Sequence, residues 1–218
     1  KALVDARQLG LLIAIDLFLR FLSRLVLRFL RSVISFSQPF VGIEDCKSSD
    51  CGGGKMAVNG FSSLEAVLLA LEDGEKQLVG NLREAVAIES VSNDPERYPE
   101  CLKMSKHLFE RIRALGGQAK AISDTGTTDG PGGSRVPVSP IILATFGNNA
   151  SKKTVCAYGH YDVMPAALSE GWDGPPFVLR ETEELFLGRG TSDDKGPILC
   201  WLAVIDAYNK AGVEMPVN

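Results

Sequence analysis

With 218 residues the chain is long enough to bury a sizeable core as one domain with extensions. Its 45% hydrophobic and 23% charged residues are those of an ordinary globular protein, and a net charge of −4 gives no reason to expect nucleic acid as a partner. Five cysteines at irregular spacing (Cys46, Cys51, Cys101, Cys156, Cys200) fit neither a disulfide framework nor a zinc ribbon, and they point to a reducing, cytoplasmic setting.

Residues 11–36 are rich in leucine and phenylalanine, and Arg20, Arg24, Arg28 and Arg31 fall on one helical stripe. Such a helix suits a membrane surface better than a span, because each charge at mid-bilayer costs roughly 2.5–3.5 kcal/mol on insertion scales. The run Cys51-Gly-Gly-Gly-Lys55 then leads into Met56, where the composition becomes that of a globular domain. Residues 1–55 therefore form a separate N-terminal extension. Three readings stay open for it: an upstream stretch outside the working protein, a membrane-associating helix, or a packed extension. Residues 56–218 form the domain.

Within the domain, Ser62 and Glu65 offer a capping box. Leu64, Val67, Leu68, Leu71, Leu78, Leu82 and Val86 follow as one helical stripe. A second helix is expected from Pro99 to Leu115, closed by Gly116-Gly117. Strands are expected at 118–123, 141–146 and 154–158, with a Gly/Pro/Ser/Thr loop between the first two. Residues 177–187 read as a β-hairpin and 195–211 as a helix closed by Gly212. Helices interleaved with short apolar strands predict an α/β class with a mixed, largely parallel sheet flanked by helices.

Two runs can carry chemistry. His160 follows the apolar run Thr154–Tyr158, at the end of an expected strand, where open α/β sheets place their ligands. Asp162, two residues on, can accept a hydrogen bond from one ring nitrogen and leave the other to a metal. Alone, the pair reads more readily as a buried, satisfied histidine near a turn. The second run, Gly188 to Gly196, holds Asp193 and Asp194 between glycines at a helix start. Its order breaks the phosphate-loop and dinucleotide patterns, leaving a cation-bridging loop or a simple acidic helix start.

Taken together, YGHYDVMPAALSEGWDGPPF at 158–177 and LGRGTSDDKGPILCWL at 187–202 closely resemble the di-zinc aminoacylase and carboxypeptidase family of metallopeptidases, nearest its cytosolic nonspecific dipeptidase and carnosinase branch. The likeness runs from Met56 to Asn218, including AIESVS at 87–92 and VEMPVN at 213–218. It implies that His160 is a ligand of one metal, that Asp193 bridges two divalent ions (zinc or manganese), and that Asp162 orients the histidine. It also implies a cis peptide after Asp193. The implied substrate is a dipeptide or short peptide, and the full-length parent is expected to be a homodimer.

The family's Glu-Glu pair, which supplies the general base and a further ligand, has no counterpart here, since Glu183-Glu184 precedes the bridging acid. The chain is accordingly expected to be an inactive N-terminal portion of such an enzyme. The alternative is a non-catalytic module acting through residues 11–36. Lys195 and Gly196 match the motif without an assigned role, Trp172 and Phe177 are expected to pack beside the site, and His107 is expected to be a packing or surface residue of the 99–115 helix.

Overall fold

The computed structural model describes residues 63–218. The extension at 1–55, its arginine stripe and the capping residue Ser62 lie outside them. Among the described residues no helix is long and apolar enough to cross a membrane.

The stripe from Leu64 to Val86 predicts one helix, and the structure divides it. Helix α1 (Ser63–Asp73) ends and α2 (Glu75–Ala87) begins around Gly74. The Gly74 N–H donates to the carbonyls of Ala70 and Leu71, both at 3.1 Å, while its own carbonyl accepts from Leu78. Glycine costs about 1 kcal/mol inside a helix relative to alanine, so the break falls where continuity is weakest. Helix α3 (Tyr98–Ala114) has Pro99 in its first turn, where a missing N–H costs no helical bond. It stops before Gly116, whose φ of 88° is the left-handed conformation expected there.

Strand β1 (Gln118–Ile122) pairs antiparallel with β4 (Ile141–Thr145), in a register running from Gln118 opposite Thr145 to Ile122 opposite Ile141. The segment between them, expected as a loop, carries a small hairpin of β2 (Thr127–Asp129) and β3 (Arg135–Pro137). Strands of three residues are too short to display an alternating pattern. This hairpin is instead tied by Arg135, which reaches Asp129 and the Thr127 hydroxyl. The hairpin expected at 177–187 is present as β5 (Arg180–Glu181) and β6 (Phe186–Leu187). Helix α4 (Lys195–Ala211) closes at Gly212, φ 63°.

The class is α/β, with helices and small sheets. The described ladders are antiparallel, however, and parallel pairing among the described residues is confined to one bridge, Val91 to Val163. The run 154–158 forms no ladder strand. A strand needs a neighbour's backbone, and here the Val155 N–H donates to the Asn218 carbonyl (3.0 Å), while the Asn218 N–H donates to the carbonyl of Lys153, just before the run (2.9 Å). Tyr158 is accordingly 91% exposed.

The main core joins α2, α3 and α4 through Leu78, Leu82, Val86, Met104, Leu108 and Leu199. α3 also covers β1 and β4. A second cluster of Val67, Leu71 and Ala207 seats α1 along α4. The end of α2 and the start of α4 thus meet, and the loops beside them form the site.

Candidate functional site

Two loops converge. The first, residues 159–163, follows the 154–158 run, and the second, residues 188–194, leads into α4. Gly159 permits their approach, since a Cβ there would lie 2.6 Å from Ile198 Cγ1 and 2.8 Å from Asp194 Oδ2. In that gap the His160 N–H donates to Asp194 Oδ2 at 3.1 Å. The peptide bond between Asp193 and Asp194 is cis, as the resemblance implies, and the two carboxylates serve different partners.

His160 Nε2 lies 2.8 Å from Asp193 Oδ1. On the other side of the ring, Nδ1 lies 3.1 Å from the Asp162 carbonyl and 3.3 Å from its carboxylate. Asp162 therefore orients the ring first through its backbone, with the side chain alongside. The Asp193 side chain is 86% exposed, so the Nε2–Oδ1 pair opens to solvent. Burial alone would lower the His160 pKa; the hydrogen bonds to Asp193 and Asp162, with both acids' charges, outweigh it and raise it. Asp194 is raised, chiefly by burial, against the opposing hydrogen bond and charge from His160.

The 188–194 loop is held from several sides. The Arg189 N–H donates to the Pro176 carbonyl (2.7 Å), and Thr191 Oγ1 donates to the Gly188 carbonyl (2.9 Å). The Arg189 guanidinium stacks over Trp172, 5.0 Å from the ring centre, which gives that aromatic a cation–π partner as well as a packing role. Lys195, only 1% exposed, donates from Nζ to the Ala85 (2.8 Å) and Ile88 (2.6 Å) carbonyls. Burial lowers its pKa to about 8. Beneath the first loop, Ser90 Oγ donates to the Tyr161 carbonyl (2.7 Å) and the Val163 N–H donates to the Ser90 carbonyl (2.9 Å).

His160, Asp162 and Asp193 are thus brought together. Glu183 and Glu184 stay in the exposed turn between β5 and β6. His107 sits half-buried on α3, its pKa lowered by burial and then by Arg111. Among the described residues no group of three or more His, Cys, Asp or Glu side chains could hold a metal ion. Sequence reading missed the support from Asp194, Lys195 and Ser90. The paired aspartates and an unassigned lysine were visible hints, whereas nothing marks Ser90.

Nitrogen and carboxylate oxygen converging on an open side suit a divalent cation of the zinc or manganese kind. Known proteins similar to the chain in sequence include metallodipeptidases. Residues 156–218 match peptidase family M20/M25/M40. The chain is 39% identical over 158 residues to the Cys-Gly metallodipeptidase DUG1 of Candida albicans, covering 71% of this chain and 33% of that protein. It is 37% identical over 157 residues to the human Beta-Ala-His dipeptidase, covering 71% of this chain and 31% of that one. The solved structure of the dipeptidase Dug1p from Saccharomyces cerevisiae superposes with a TM-score of 0.66 at 36% identity, over 70% of this chain and 32% of that chain. The chain spans about a third of the length of these relatives. On its motif, its fold and these likenesses, the chain carries part of a peptidase family M20/M25/M40 domain, matched over residues 156–218.

Proposed function

We propose that His160 and Asp193 are ligands of a divalent-metal centre, with Asp193 placed to bridge two ions, and that the full-length protein hydrolyses dipeptides or short peptides. The observation that carries this reading is the 2.8 Å approach of His160 Nε2 to Asp193 Oδ1, on an open face and inside a segment matching peptidase family M20. The names of the relatives, Cys-Gly metallodipeptidase and Beta-Ala-His dipeptidase, support a dipeptide substrate class.

The donor set fits zinc or manganese. When bound, the ions supply Lewis-acid polarisation of a scissile carbonyl and activation of water. This chain's residues have narrower tasks. Asp162 holds the ring through Nδ1, so that Nε2 faces Asp193. Asp194 fixes the His160 backbone, which leaves Asp193 as the outward carboxylate. Catalytic zinc commonly takes three protein ligands, and the described residues bring one histidine and one outward aspartate together. The 218-residue chain should therefore bind metal weakly and show no dipeptide turnover.

Isothermal titration with Zn²⁺ and Mn²⁺ tests the assignment. His160→Ala and Asp193→Ala should each abolish measurable binding. Asp162→Ala should weaken it by less, since the backbone carbonyl that faces Nδ1 is retained. Binding unaffected by the first two substitutions, or dipeptide hydrolysis by the chain at ordinary enzymatic rates, would overturn the corresponding part of the reading.

A further inference from the structure

The buried ammonium of Lys195 has no role in the chemistry above. Its Nζ donates to two backbone carbonyls at the end of α2, those of Ala85 and Ile88. A lysine at 1% exposure is rare, because an uncompensated buried charge is costly. A cation at the carbonyl end of a helix, though, meets the negative end of the dipole. That arrangement ties the start of α4, two residues after Asp193, to Ala85 and Ile88.

Directly after Ile88, the chain reaches the other loop. Ser90, 0% exposed, is bonded to it twice, by Oγ to the Tyr161 carbonyl and by its carbonyl to the Val163 N–H. Val91 continues this contact as a bridge to Val163. The two arms also touch at Gly190, where a Cβ would lie 2.9 Å from Val163 Cγ1 and 3.1 Å from Lys195 Cδ. Residues 85–91 are therefore bonded at one end to the start of α4, two residues after Asp193, and at the other to the loop of His160.

We infer that residues 85–91 are a brace setting the His160–Asp193 separation, with Lys195 and Ser90 as positioning residues on its two arms. As a statement about metal binding, this rests on the reading that His160 and Asp193 share a cation. As a statement about geometry, it does not. Lys195 reaches no substrate or reacting atom in this arrangement; it acts through the loop that carries Asp193.

The test uses the full 218-residue chain with Lys195→Met, which keeps the length of the side chain and removes its donors, and separately Ser90→Ala. The chain has two histidines, so the ring signals of His160 can be assigned by comparison with a His107→Leu variant. In the metal-free chain, well below its unfolding midpoint, both substitutions should shift the His160 ring resonances. A residue contributing only to global stability would leave them in place. Co²⁺ titration should then show affinity about 10-fold weaker in each variant, with an altered visible spectrum, as expected when support of a metal ligand is lost.

Unshifted ring resonances in both folded variants would overturn the brace, whatever the metal does. If Lys195→Met fails to fold, Ser90→Ala alone decides, because it leaves the buried lysine in place. Absence of Co²⁺ binding by the parent chain would instead count against the metal-centre reading, and the ring signals would still judge the brace.

Discussion

At the scale of single residues, the site depends on what is small as much as on what is charged. Gly159 lets the two loops meet, and Gly159→Ala would press a methyl against Ile198 and Asp194. Overpacking of this kind costs roughly 1–3 kcal/mol. Urea unfolding should show a loss of that size, together with loss of the His160-to-Asp194 backbone bond; an unchanged midpoint would contradict the packing described. His107 offers a different prediction. Its folded pKa lies below the ordinary 6.5, through burial first and Arg111 second, against Glu84 and Glu110. Just below 6.5 the unfolded chain binds this proton and the folded chain resists it. Stability from this residue is therefore kept above that value and lost as pH falls toward the folded pKa. His107→Leu should flatten the pH dependence of the urea midpoint as pH falls through and below the ordinary histidine value of 6.5. Parallel curves for parent and variant would remove His107 from the account.

At the scale of elements, the two apolar clusters should respond unequally. Leu199, 1% exposed, lies where α4 meets α2, whereas Leu71, 7% exposed, belongs to the smaller seam of α1 on α4. Leu199→Ala should cost about 3–5 kcal/mol and Leu71→Ala about 2–3 kcal/mol, read from denaturant midpoints, because the seam can close over a lost side chain more readily than the core. The helices were legible in the sequence for this same reason. Long stripes such as Leu102 to Leu115 and Ile198 to Tyr208 state a period, and Gly116 and Gly212 mark the ends. The break at Gly74 leaves no such mark, because the apolar period continues across it. The run 154–158 has the composition of a strand without being one, because strand character depends on a partner that periodicity does not name. His160, Asp162 and Asp193 were recognisable from their motifs, whereas Ser90 and the carbonyls that hold Lys195 belong to tertiary contacts with no local signature.

At the scale of the whole molecule, the described surface is lopsided. Ile141 and Leu143 on β4, Val155 and Tyr158 beside it, and Trp201 on α4 are all exposed to 43% or more. They line one broad open cleft that also reaches His160 and Asn218. A contiguous apolar face of this kind binds hydrophobic dyes and other chains. Val155→Lys with Tyr158→Lys should lower dye fluorescence and reduce concentration-dependent association in sedimentation velocity. No change in either measurement would mean that this face is covered in solution.

The seam between α1 and α4 has a consequence for how the protein is made. The helix at Ser63–Asp73 packs on the helix at Lys195–Ala211, so its buried side has to wait while everything between them is translated. At about 5–20 residues per second, that interval lasts several seconds on the ribosome. During it, Val67 and Leu71 lack the helix against which they pack in the folded chain.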